Sequence, residues 1–286
     1  MEKNRSPIRI LKSVMTSDGA GVRLKRVFGF RETELFDPFL LLDSFGSDDP
    51  SDYIAGFPWH PHRGIETVTY MIDGEVEHGD SLGNKGTIHS GEVQWMTSGS
   101  GIIHQEMPKP FPGTMRGFQL WVNLPKTHKM TMPRYRDIHA DAIPRVNPSP
   151  GVEVRVICGD IGGVSGPVTG ILQHPLYLDV SMKSKSVFTQ EIAPTHTAFA
   201  YVFEGSGGFG GGQGIRVNSG ELSLFSEGLY ARVASGEHGL RFLLIAGEPL
   251  REPVAWRGPI VMNTNEELDI AFREFYEGSF IKNGSF

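Results

Sequence analysis

The sequence predicts an all-β protein made of two tandem jelly-roll β-barrel domains, with few helices and one of them at the C-terminus. Three observations carry this. Short apolar runs recur along the 286 residues between turn formers, and the 36 glycines and 19 prolines leave little room for long helices. A strand–turn pattern returns at a near-constant offset. The longest apolar runs, such as Phe39 to Leu42 and Phe242 to Ala246, are strand-sized and far short of the roughly 20 residues of a membrane helix.

In the first half, strands are expected at Arg23 to Phe28, Phe39 to Asp43, Thr67 to Asp73, Gly86 to His89, Val93 to Thr97, Ile102 to Met107 and Arg116 to Asn123. Asp73-Gly74, Gly83-Asn84, Ser90-Gly91, Ser98 to Gly101 and Pro112-Gly113 supply turns. In the second half the runs are Val152 to Ile157, Leu176 to Met182, Ser186 to Ile192, Thr197 to Phe203, Leu222 to Phe225, Tyr230 to Ala234 and Arg241 to Ala246.

The halves echo each other. Thr67 to Gly74 and Ala198 to Gly205 share an apolar-aromatic run, an acid and a glycine, and Ser90-Gly91-Glu92-Val93 answers Ser219-Gly220-Glu221-Leu222. Two copies of one β-domain explain the spacing, and closing each sheet into a barrel removes its edges. Pro144 to Gly151 carries three prolines and reads as the linker, giving domains 1–143 and 144–286. At the C-terminus Thr264-Asn265-Glu266-Glu267 forms a capping box. Leu268, Ala271, Phe272 and Phe275 follow at helical spacing, and Gly278 stands where the helix stops.

Charge and composition narrow the function. With 27 basic against 33 acidic residues the formal charge is −6, without the basic excess of a nucleic-acid binder; Lys109 to Arg136 reads as a solvated face. The N-terminus lacks an apolar signal segment, and the single cysteine, Cys158, rules out an internal disulfide framework. A cytoplasmic, monomeric protein without nucleic-acid or membrane partners is expected. Gly205 to Gly210 fits Gly-x-Gly-x-x-Gly but precedes a strand, so it reads as a hairpin loop. The Ser98 to Gly101 turn lacks the context of a nucleophilic serine.

The chemistry concentrates in two clamps. His60 and His62 are two residues apart, as are His104 and Glu106, and residues two apart on a strand share a face. Two neighbouring strands facing one barrel interior would gather three imidazoles and one carboxylate. That nitrogen-rich set suits a divalent transition metal with open positions, whereas a structural zinc site usually draws on cysteine. Glu66 is expected to support the site more than to ligate, because Gly64 permits a bend between it and His62. His78, His89, His128 and His139 read as surface or turn histidines, and Trp95 and Met96 as core residues or lining of the route in. The second half does not repeat the clamps, with a lone His196 and with Glu237 and His238 adjacent, so one metal per chain is expected.

Several stretches together resemble the pirin family, bicupins of the cupin superfamily. They are Pro38 to Asp43, Gly56 to Thr67, Gly91 to Thr97, Gly101 to Pro108, Gln119 to Pro125 and Gly258 to Glu267. The resemblance implies two tandem cupin domains, with one metal in the first and none in the second. Carried over by motif, the metal ligands are His60, His62, His104 and Glu106, and the ion is most often Fe(2+), with Ni, Cu, Mn, Co or Zn as alternatives. It also implies quercetin 2,3-dioxygenase activity, in which O2 opens a flavonol-like aromatic substrate and carbon monoxide leaves, with Glu106 as the catalytic base. The alternative it implies is a non-enzymatic, redox-responsive regulator acting through a protein partner. Trp59, where some relatives carry a polar residue, is expected to narrow the pocket mouth.

Overall fold

The computed structural model describes residues 4–212 and 214–282. Strands dominate them, with two α-helices, Thr33–Phe36 and Asn265–Tyr276. The chain divides into two compact units: Met1–Ser13 with Asp141–Pro249, and Val14–Ala140 with Leu250–Phe286. The units therefore differ from the expected halves 1–143 and 144–286. The first thirteen residues group with the later half, and the C-terminal helix groups with the earlier one.

The unit formed by Met1–Ser13 and Asp141–Pro249 is a nine-stranded antiparallel sheet. Strand β1 (Pro7–Lys12) enters it beside Glu221–Phe225, which explains why the chain start belongs here. Its core is continuous and apolar, with Val154, Leu178, Phe188, Val202, Phe242 and Leu244 fully buried. The two runs expected at Tyr230 to Ala234 and Arg241 to Ala246 are one strand, Tyr230–Gly247, which carries polar residues through its middle.

The other unit holds a seven-stranded and a four-stranded sheet. The strands of these two sheets are β2 (Val14–Asp18), β3 (Val22–Phe28), β4 (Phe39–Ser47), β5 (Phe57–His62), β6 (Ile65–Asp73), β7 (Val76–Asp80), β8 (Lys85–Ile88), β9 (Val93–Thr97), β10 (Ile102–Pro108), β11 (Met115–Asn123) and β12 (Arg134–Ile138). The large sheet runs β12-β9-β6-β11-β4-β3-β2 and the small one β5-β10-β7-β8. Alternation along β4 sends Leu41, Asp43 and Phe45 to a shared interior cavity. Val22, Met71, Val76, Ile88 and Met115 form an apolar cluster in this unit. β2, β7 and β12 were not expected from sequence. They are short and mostly polar, so they lack the apolar run that marks a buried strand.

The C-terminal helix begins as expected. Thr264 Oγ1 accepts from the Glu267 backbone N–H, and the Glu267 carboxylate accepts from the Thr264 N–H. Leu268 and Ala271 are buried in a cluster with Ile260, Met262 and Phe280, against which Ile103 of β10 packs. The neighbour of His104 on β10 thus packs against the same cluster as the helix.

Candidate metal centre

β5 and β10 pair antiparallel with His104 directly opposite His60 and Ile102 opposite His62. Because residues two apart share a face, this register puts His60, His62 and His104 on one side of the ribbon. Ligand atoms of the three rings lie within 4.8 Å of one another, the one such His/Cys/Asp/Glu group found among the described residues. The register slips between His104 and Glu106, so Glu106 stands opposite Phe57 on β5 and opposite His78 on β7.

The hydrogen bonds settle which nitrogens face inward. His60 Nδ1 lies 2.9 Å from the Pro58 carbonyl oxygen and His62 Nδ1 3.0 Å from that of Pro259. A carbonyl oxygen only accepts, so both Nδ1 atoms carry hydrogen and each Nε2 presents its lone pair. Those two Nε2 atoms are 3.0 Å apart. Burial, then the neighbouring His60, hold the His62 imidazole well below its ordinary pKa, so its neutral form prevails. Two lone pairs aimed at one point repel unless a cation lies between them. At a metal–nitrogen distance of about 2.0–2.1 Å, ligands at right angles stand about 3.0 Å apart. His104 is buried with neither ring nitrogen hydrogen-bonded, and burial followed by His62 and His60 keeps its pKa well below the ordinary value. An orphaned neutral imidazole next to two inward lone pairs fits a metal ion.

Glu106 is not part of this mutually close set. It lines the same cavity, with its Oε1 accepting from Thr69 Oγ1 at 2.7 Å. Thr69 Oγ1 also lies 2.7 Å from the Gln119 side-chain oxygen as drawn. A hydroxyl has one proton to donate, so we orient the Gln119 amide with its N–H toward Thr69. The chain Gln119 to Thr69 to Glu106 then donates in one direction and stabilises the Glu106 carboxylate.

The cavity measures about 740 Å³, within the range of small-molecule sites. His60, His62 and Glu106 lie on its wall with Trp121 and Trp256. Trp121 stands edge-on to His62 with ring centroids 5.1 Å apart, and Trp256 packs on Trp121 at 5.6 Å. Both tryptophans, Thr69 and Asp43 escaped the sequence reading. A charged residue inside the apolar run Phe39 to Asp43 was the available signal for the last.

The other expectations divide: Trp59 and His78 turn out differently, while Trp95, Met96 and Glu66 stand where the favoured reading put them. Trp59 is 54% exposed because the strand that sends His60 and His62 inward sends Trp59 outward, so it does not narrow the cavity mouth. Trp95 and Met96 are fully buried core residues. His78 is neither surface nor turn: it is buried on β7, stacked on Tyr135 at 5.1 Å, with Nε2 3.5 Å from the Asp137 carboxylate. Glu66 is buried, and its oxygens accept from Trp95 Nε1 at 3.1 Å and Thr97 Oγ1 at 2.7 Å. Burial raises its pKa against those hydrogen bonds, and Glu66 belongs neither to the close imidazole group nor to the cavity wall.

Comparison with known proteins follows this geometry. The family model Pirin matches residues 21–122, and the model of the Pirin C-terminal cupin domain matches 177–281. Over 96% of its length the chain is 44% identical to Pirin-like protein of Caulobacter vibrioides, covering 99% of that protein. The chain belongs to the pirin family. Among solved structures, quercetin 2,3-dioxygenase from Acinetobacter baumannii superposes with a TM-score of 0.89 at 34% identity, covering 96% of this chain and 98% of that one. A bacterial pirin of Escherichia coli, solved with nickel(II), shares the fold at a TM-score of 0.64 and 19% identity, covering 84% and 99%. As in other pirins, two cupin-type domains make up the chain.

Proposed function

We propose that this chain is a metal-dependent dioxygenase of the pirin type that opens flavonols such as quercetin with O2. The observation that carries the reading is the pair of inward Nε2 lone pairs 3.0 Å apart, on the wall of a cavity of about 740 Å³. The name of the Acinetobacter relative supports the reaction. His60, His62, His104 and Glu106 would hold one divalent transition ion, Fe(2+) in our reading. The ion would supply the Lewis acidity that acidifies a flavonol hydroxyl and the open positions that admit O2. The 144–286 half is read as metal-free.

The chain's own groups do the rest. Glu106 accepts the proton of the flavonol 3-hydroxyl; Thr69 holds Oε1 and so leaves Oε2 for that proton. The carbonyls of Pro58 and Pro259 hold the His60 and His62 rings in the tautomer that ligation requires. Trp121 and Trp256 offer flat apolar surface to the aromatic rings and keep water from the electron-rich flavonolate.

The test is oxygen uptake with quercetin on protein reconstituted separately with each candidate metal and assayed for metal content. Turnover should follow one metal and vanish in His104→Ala. Glu106→Gln should lose turnover by about a hundredfold or more while keeping more of its metal than of its activity. Full metal loading without turnover on any flavonol would reject the enzyme reading in favour of a regulator read by a protein partner.

A further inference from the structure

A single polar row crosses the interior of the large sheet in the metal-binding unit. The register places Arg26 opposite Asp43, Asp43 opposite Gln119, Gln119 opposite Thr69, Thr69 opposite Gln94 and Gln94 opposite Asp137. Directly opposed residues share a face, so these six side chains form one transverse line over six strands. The neighbours two residues away are mainly apolar: Leu24, Leu41, Phe45, Trp121 and Met71. One part of the row serves the centre already described, where Thr69 holds Glu106. The part at Asp43 has no role there.

Asp43 is buried and on the cavity wall. Arg26 grips it at both oxygens, Nε to Oδ1 at 2.9 Å and Nη2 to Oδ2 at 2.7 Å, and Arg26 Nη2 also reaches Asp18 at 2.8 Å. Burying the carboxylate of Asp43 against a partly exposed Arg26 is a poor way to gain stability, since an apolar residue of similar volume usually serves as well or better. A carboxylate has about four acceptor positions, of which Arg26 uses one on each oxygen, and Asp43 lies on the cavity wall. Two strand spacings separate Asp43 from Thr69, about 9–10 Å between backbones. A planar multi-ring molecule with its reactive head at Glu106 would span that distance.

We propose that Asp43, oriented by Arg26 and flanked by Gln119, is a specificity residue that accepts a hydrogen bond from an outer-ring hydroxyl of the substrate. This rests on the flavonol reading above and assigns its outer hydroxyl groups a partner. The substrate class narrows to polyhydroxylated ring systems; apolar analogues with the same head would leave Asp43 desolvated and unmatched.

Calorimetric titration of the metal-loaded full chain, without oxygen so that nothing turns over, tests this. The probes are quercetin and 3-hydroxyflavone, which keeps the head and lacks every outer hydroxyl. Quercetin should bind about ten- to a hundredfold more tightly, the size of a hydrogen bond to a charged group. In the double variant Arg26→Met/Asp43→Leu, which leaves no lone buried charge, the two should bind within about threefold of each other. Equal binding of the two by the unmodified chain overturns the role of Asp43 and leaves the flavonol reading standing; that comparison decides even if the variant does not fold. Undiminished discrimination by the folded variant also overturns it. Binding of neither probe overturns the flavonol reading and this inference together.

Discussion

Glu66 and Glu106 are two buried glutamates whose partners give them different work. Glu66 accepts from Trp95 and Thr97 and fixes the junction of β6 and β9 beneath the site. Glu66→Ala strands two buried donors, so it should cost about 2–5 kcal/mol in urea unfolding while metal content stays near one per chain. Metal loss with undiminished stability would make Glu66 a ligand instead. Glu106 has one oxygen fixed by Thr69, and Thr69→Val removes that hydrogen bond together with the one Thr69 accepts from Gln119. Turnover should then fall by about tenfold or more at unchanged metal content, read from kcat and metal analysis. At this scale the grouping of His60, His62 and His104 was legible in the sequence because period two is a property of any strand, whereas the register slip that sets Glu106 apart from them was not. Thr69, Asp43 and Trp121 were not, because their role comes from cross-strand register, which the spacing along one strand does not reveal.

The turn between β5 and β6 governs how the His60–His62 clamp is aimed. Gly64 has φ +79°, and a Cβ there would overlap the Val261 carbonyl oxygen. Only glycine meets both demands, so Gly64→Ala should destabilise by about 2 kcal/mol or more and weaken metal affinity with it. Lys129 closes the same corner: its buried Nζ donates to Gly64 O at 2.9 Å, Asn123 Oδ1 at 2.5 Å and Val261 O at 3.0 Å. Burial lowers its pKa to about 7. Between that value and its unfolded pKa near 10.4, the unfolded chain binds the proton and the folded chain does not, so this group makes stability rise with pH across that window. Lys129→Met should flatten that rise, which denaturant unfolding at pH 7 and pH 9.5 would show; parallel profiles for the two proteins would contradict it. The capping box of the C-terminal helix was legible because its signal lies within four residues. β2 and β12, at the edges of the large sheet, and β7, inside the small one, were hidden because they are short and carry no alternating apolar run.

On the scale of the whole chain, the ends exchange places between the units. Residues 250–286 belong with Val14–Ala140, and they bring the Pro259 carbonyl to His62 and Glu274 to the buried Arg63 at 2.8 Å. A chain ending at Pro249 should therefore lose metal binding, although all four candidate ligands remain in it; retained stoichiometric metal would show that this segment is dispensable. The sequence echo revealed two β-domains, since the internal repeat is local to each copy. It could not reveal the exchange, because a strand or helix carries no mark of which sheet it will join. Dioxygenation at this site, as proposed, differs from incidental metal-driven oxidation in its products. The most direct test is simultaneous measurement of O2 consumed, carbon monoxide released and hydrogen peroxide formed with quercetin. The proposed dioxygenase should release one carbon monoxide per O2, with both O2 atoms entering the products and no peroxide. Oxygen uptake that yields peroxide without carbon monoxide would contradict it.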